Sequence, residues 1–147
     1  MQRVRNQMQD DPFNLQRFVD AQQPVIESVY SELKAGRKRG HWIWFIFPQL
    51  KGLGYSANSA HFGIASLPEA TAYLDHDLLG PCLIECTRLV NAAKTTSAED
   101  IFGCIDAMKF RSSMTLFAKA AAENQVFTEA LDKYFCGEFD PLTLALL

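Results

Sequence analysis

Arg39, His41, Trp42, Trp44 and Gln49 fall within a single short stretch, RKRGHWIWFIFPQ, at positions 37–49. Cations attract anionic groups, and flat indoles offer a stacking face to a base or a nicotinamide. Histidine is the side chain best suited to moving protons near neutrality, which makes His41 the candidate general acid or base. A second group, KFRSS at 109–113, supplies Lys109 and Arg111 to neutralise a phosphate or carboxylate, and Ser112 and Ser113 to donate hydrogen bonds. If the two groups meet across a cleft, they form a pocket for a phosphorylated, ring-bearing small molecule. Each also has a structural account. The cations can cap a helix C-terminus, where they suit its dipole, and the aromatics can be core. Lys109 can pair with Asp106 at i, i+3.

Other chemistry is sparse. The segment QLKGLGY at 49–55 has two glycines and a lysine but no P-loop pattern, and reads as a turn. Asp75-His76-Asp77 reads as a helix-boundary cap. No GxSxG elbow, HExxH or dinucleotide fingerprint is present. Four cysteines and three histidines give no zinc spacing, so neither a metal nor a cofactor is expected, and the thiols are expected to be reduced and buried.

The elements that must position these residues are helices. Asp11-Pro12 combines a favoured N-cap with a favoured first helical residue, ahead of Phe13, Leu15, Phe18 and Val19. Pro24 ends that helix, and Val25, Ile26, Val29, Tyr30 and Leu33 mark the face of the next, which stops at Ala35-Gly36. The aromatic run 42–47 is too short to separate a strand from a buried helical turn. Residues 49–59 have loop chemistry, and a turn of helix is expected near 59–64. Ser66-x-x-Glu69 is a capping box. Gly80-Pro81 interrupts the chain before a helix over about 81–93, and Ser97 caps a short turn at Ile101-Phe102. Asp106 is read as the cap of a helix to about Ala122, whose Phe110, Met114, Phe117 and Ala121 share one stripe. That stripe puts Lys109 and Arg111 on opposite sides of the buried face. A last long helix spans 125–135, and Asp140-Pro141 opens a terminal turn. No strand alternation is seen. The sequence therefore predicts an all-α, single-domain, multi-helical array of six to eight short helices over 11–147, behind a frayed arm at 1–10.

At 147 residues, 48% of them hydrophobic and with 11 Phe, the chain can build one aromatic-rich core without a disulfide or metal. The net charge of −3 argues against a nucleic-acid binder. The charge is uneven: residues 1–51 have eight Lys/Arg against five Asp/Glu, and residues 52–147 have six against twelve. An anion pocket in the basic portion is one reading of this. The opening MQRVRNQMQDD lacks the apolar core of a secretory signal, and no run approaches the ~18 apolar residues of a membrane span. A cytoplasmic location without membrane association is expected, with monomer and homodimer both open.

DPFNLQRFVDAQ (11–22), RKRGHWIWFIFPQLKGLG (37–54) and KFRSSMTLF (109–117) together resemble domain-of-unknown-function family 1810, small bacterial proteins that often carry the name calpastatin without good reason. The resemblance runs from Asp11 to the terminal DPLTLALL and implies an all-helical array with no established activity. One departure is Cys104-Ile105-Asp106, where family members tend to have a Pro-Asp pair; it leaves the start of that helix open. A fainter similarity, to the helical NADAR domains that handle ADP-ribose derivatives, maps no residue onto this chain.

Two functions follow. In the first, the protein binds or processes an anionic, nucleotide-like small molecule such as an ADP-ribose or NAD derivative. Trp42 or Trp44 stacks on its ring, while Arg39, Lys109 and Arg111 hold its charge. In the second, it is a non-enzymatic interaction module whose segment Trp42–Phe47 is partly exposed and docks a protein partner. Whether His41, Trp44, Lys109 and Arg111 share one solvent-connected cavity separates the two.

Overall fold

A computed structural model describes residues 11–147; the arm expected over 1–10 lies outside the described residues. Ten helices and no strand are found among the described residues, so the fold class is all-α, with more helices than the six to eight expected. Four of the ten, Ile43–Ile46, Ala57–Phe62, Ala98–Phe102 and Pro141–Leu146, have only four to six residues. Such pieces are too short for a 3.6-residue period to register in sequence. No helix among the described residues is long and apolar enough to cross a membrane.

We number the helices in order. Asp11 does not cap α1 (Gln16–Gln22) at its first residue. Its carboxylate instead accepts from Leu15 N and Gln16 N across a turn in which Asn14 has φ +53°. The second helix, α2, covers Ile26–Lys34. The aromatic run resolves as a single helical turn, α3 (Ile43–Ile46). Ser56 caps α4 (Ala57–Phe62), and Ser66 caps α5 (Leu67–Asp75) through the Glu69 N–H. Gly80-Pro81 does not break the chain: α6 runs from Leu79 to Asn91, with Pro81 in its first turn, where a missing N–H is harmless. His76 serves as the boundary cap of that helix, its Nδ1 accepting from Leu78 N and Leu79 N.

Ser97 caps α7 (Ala98–Phe102), Gly103 turns the chain, and α8 runs from Cys104 to Ala120. Asp106 is thus inside α8 and not its cap. The helix starts two residues earlier because Gly103, at φ +82°, takes a conformation that side-chain-bearing residues rarely adopt. The chain ends in α9 (Gln125–Phe135) and α10 (Pro141–Leu146).

The long helix α8 is the axis of the packing: α5, α7, α9 and α10 all rest on it. Phe110, Met114 and Phe117 from its stripe are fully buried. Phe110 stacks on Phe102 at 4.7 Å and meets the edge of Phe47 at 5.0 Å, so one α8 residue ties the Trp42–Phe47 segment to α7. A single parallel bridge pairs Leu50 with Ile64 across the 49–59 loop.

Candidate functional site

The 37–49 stretch is held by one carboxylate. Glu32, in the last turns of α2, accepts from Arg39 N at 2.7 Å, Gly40 N at 3.0 Å and Trp42 Nε1 at 2.9 Å. Partial burial opposes its ionisation, but these donors and nearby Lys38 outweigh that and hold the Glu32 carboxyl below its ordinary range. Gly40 is required by contact: a Cβ there would lie 2.8 Å from the Trp42 ring. The result is a sharp return that buries Trp42 and turns Trp44 outward. Trp42→Phe keeps the ring packing but removes one charge-assisted hydrogen bond, and is expected to cost about 1–2 kcal/mol in urea unfolding. It also leaves Trp44 as the one tryptophan, so that fluorescence then reports on Trp44 alone.

Lys38 crosses to α8. Its ammonium sits 2.7 Å from Asp106 and 2.6 Å from the Gly40 carbonyl, over the Trp42 ring at 5.2 Å, with a nearly buried side chain. Lys109 reaches the other Asp106 oxygen at 3.0 Å and lies 4.6 Å from the centroid of the Trp44 ring. Burial opposes ionisation of Asp106, yet the hydrogen bonds from Lys38 and Lys109 hold its carboxyl below the ordinary range. The trio carries one net positive charge.

Beside it opens a cleft of about 530 Å³, with His41, Trp44, Gly103, Cys104, Asp106 and Lys109 on its walls. His41 is exposed and Trp44 half-buried. The start of α8 forms one wall, and no side chain caps it. Helix starts leave backbone N–H groups unpaired and bear partial positive charge.

Of the residues singled out in the sequence, His41, Trp44 and Lys109 meet at this cleft. The others do not. Trp42 is core. Arg39 is exposed and is held through its backbone N–H. Gln49 is buried, and its carbonyl accepts from Ile64 N at 2.9 Å, so it secures the loop bridge. Arg111 faces away from Lys109, because residues two apart on a helix are ~200° apart. It donates to the Glu138 and Phe139 carbonyls and pins the segment before α10. Ser112 donates to Asp140 Oδ2 at 2.8 Å, in the same anchor. Ser113 is fully buried, its hydroxyl unpartnered among the described residues.

Glu32 is not a candidate in the sequence: its partners Arg39, Gly40 and Trp42 lie 7, 8 and 10 positions on, at no helical spacing. Lys38 belongs to the cationic run of the 37–49 stretch, but its pairing with Asp106 is a tertiary contact. Asp106 is legible as a helix cap and as a partner for Lys109, not as the carboxylate that holds both lysines.

Among the described residues, an array of ten helices with a cationic, tryptophan-walled cleft is the class this chain defines. The family model described as Protein of unknown function (DUF1810) matches residues 12–147, and the chain belongs to that family. Among solved structures it is similar to the conserved hypothetical protein Rv1873 from Mycobacterium tuberculosis. The identity is 60%, over 93% of this chain and 98% of that one, with a TM-score of 0.92. A comparison with curated proteins gives no match.

Proposed function

We propose that the cleft between the 37–49 segment and the start of α8 binds a small anionic molecule with a flat ring, of the nucleotide or ADP-ribose type. The observation that carries this reading is the convergence of His41, Trp44 and Lys109, from two separate segments, on one open cleft. Trp44 offers the stacking face. Lys109 lies over the same ring, 4.6 Å from its centroid, and can transfer its charge from Asp106 to an incoming phosphate. The uncapped start of α8 adds partial positive charge from a second direction. His41 lies within the same walls and is the group positioned to exchange a proton with a bound molecule.

The reading is tested by thermal shift with NAD, ADP-ribose and mononucleotides. A ligand held at ~100 Kd adds about 2.7 kcal/mol to stability. At least one of these compounds is expected to raise the Tm. Lys109→Ala is expected to abolish the rise, and the ligand is expected to quench Trp44 emission in the Trp42→Phe background. No shift with any compound on the unsubstituted protein defeats the proposal.

A second reading, docking of a protein partner, has one observation in its favour. Ile105, on the cleft wall, and Met108, farther along the first turns of α8, are 70% and 69% exposed. It does not extend to the aromatic segment as a whole, since Trp42, Ile43, Ile46 and Phe47 are buried.

A further inference from the structure

Asp106 is shared by two like arrangements. The Lys38 ammonium lies 2.7 Å from one of its oxygens and 5.2 Å from the centroid of the Trp42 ring. The Lys109 ammonium lies 3.0 Å from the other oxygen and 4.6 Å from the centroid of the Trp44 ring. Each lysine is thus held between a carboxylate and an indole, the best aromatic partner for a cation. The two halves differ in access. Trp42 is buried, the Lys38 side chain is 7% exposed, and the Gly40 carbonyl also accepts from its ammonium. Trp44 is half-buried, the Lys109 side chain is 20% exposed, and both line the open cleft. Among the described residues the Lys109 ammonium has Asp106 as its one hydrogen-bond partner. The first half is closed structure. The second is a cation position on an open wall, filled by the chain's own side chain.

We propose that the position over Trp44 and beside Asp106 takes a cationic flat ring, so that the cleft selects phosphorylated N-alkylpyridinium compounds over nucleotides whose ring is neutral. This rests on the reading of the cleft as a nucleotide site and names the ring that such a site prefers. To stack on the face of Trp44 that Lys109 covers, a ring must displace the ammonium, which then turns to the ligand's phosphate. With a neutral ring, Asp106 gives up one of its two cations, and Trp44 gives up the one it has. With a pyridinium, the positive charge of the ring stands where the ammonium stood. Asp106 then keeps two cations and Trp44 keeps one.

Lys109 gains the phosphate in either case, so the difference between the two ligands comes from the ring alone. A pyridinium has no ring N–H to replace the hydrogen bond from Lys109. Its advantage is coulombic, toward the carboxylate on one side and the indole face on the other. Among the described residues Asp106 is the one carboxylate on the cleft walls, so the preference depends on it. Lys38 stays in place throughout and keeps Asp106 from facing the ligand as an unpaired charge.

The test is calorimetric titration of the full chain with nicotinamide mononucleotide and with its dihydro form, which share ribose and phosphate and differ in ring charge. The oxidised form is expected to bind about tenfold more tightly, the scale of one partly desolvated cation–indole contact. In the Trp42→Phe protein the oxidised form alone should give a charge-transfer absorption with Trp44, at longer wavelength than either ring absorbs. Asp106→Asn should cut the preference to about twofold or less. Trp44→Leu, which leaves the Lys38–Asp106–Lys109 trio in place, should abolish both the preference and the absorption. AMP and ADP-ribose, whose rings are neutral, should bind like the dihydro form. Equal binding of the oxidised and dihydro forms to the unsubstituted protein overturns selection by ring charge and leaves the nucleotide site standing. A preference that survives in both Asp106→Asn and Trp44→Leu overturns it too. If none of the four compounds binds, the nucleotide reading falls and the ring preference falls with it.

Discussion

Arg17→Ala is expected to cost about 3–5 kcal/mol of folding stability. The guanidinium of Arg17 joins three segments. It donates to the Phe13 and Asn14 carbonyls ahead of α1, to the His61 and Gly63 carbonyls at the end of α4, and to Glu69 Oε2 in α5 at 2.9 Å. The Glu69 side chain is only 4% exposed, and its other oxygen accepts from Ala65 N. Removing Arg17 leaves that carboxylate buried with a single donor and takes a side-chain donor from four carbonyls, of which Asn14 O keeps the Arg17 backbone N–H. An uncompensated buried charge is among the most destabilising results of one substitution. Arg17→Lys should recover less than half the loss, because an ammonium cannot span the fork of acceptors that a planar guanidinium reaches. Urea unfolding checks this through a lowered midpoint at unchanged slope. A loss under about 1 kcal/mol would show that water replaces these contacts and that the network is not a principal support of the fold.

Nothing local in the sequence marks Arg17. It stands in α1 among residues that read as an ordinary amphipathic helix, and its partners lie up to 52 positions away. What sequence does mark is local. Ser66 and Glu69 announce the start of α5, and Phe110, Met114 and Phe117 announce the buried stripe of α8. Asp140-Pro141 announces α10, where Asp140 accepts from Thr143 N as a cap should. These are i, i+3 and i, i+4 relations, and the chain carries them wherever the segment ends up.

The candidate site divides along the same line. That Lys109 and Arg111 project to different sides follows from helix geometry alone. Which side meets the 37–49 segment depends on Phe110 wedging between Phe47 and Phe102, a tertiary contact. The two tryptophans were alike as sequence. They differ in the fold because Glu32 takes the indole N–H of Trp42, leaving Trp44, two residues on, turned toward the cleft. The Gly103 turn sets the start of α8 without any of the usual capping residues, so the first capping residue type in the sequence there is Asp106, two residues inside the helix. The carboxylate that seemed to begin the helix is the one that holds two lysines.

Asp106→Asn is the substitution for which stability and binding are expected to move in opposite directions. Stability should fall by about 2–3 kcal/mol, since Lys38 is nearly buried and loses its counter-charge. The loss stays at the lower end because the Gly40 carbonyl, at 2.6 Å, and the new amide oxygen still accept from it. The pH dependence has a definite sign. The folded Asp106 carboxyl is held below its ordinary value, so the unfolded chain binds the proton more readily. Its contribution is therefore complete above the unfolded value of ~3.9 and is lost as pH falls through the folded one. Asp106→Asn should remove that part of the acid-limb loss, bringing the two proteins closer in stability at low pH. Binding should change the other way. Neutralising Asp106 frees Lys109 and removes a negative charge from the cleft wall, so affinity for ADP-ribose should rise by on the order of tenfold, about 1.4 kcal/mol. Calorimetric titration of both proteins, alongside their melting temperatures, reads the two effects separately. If ADP-ribose binds the unsubstituted protein and Asp106→Asn weakens that binding, Lys109 does not meet the ligand's charge, and the trio is a structural ion pair at the edge of the site.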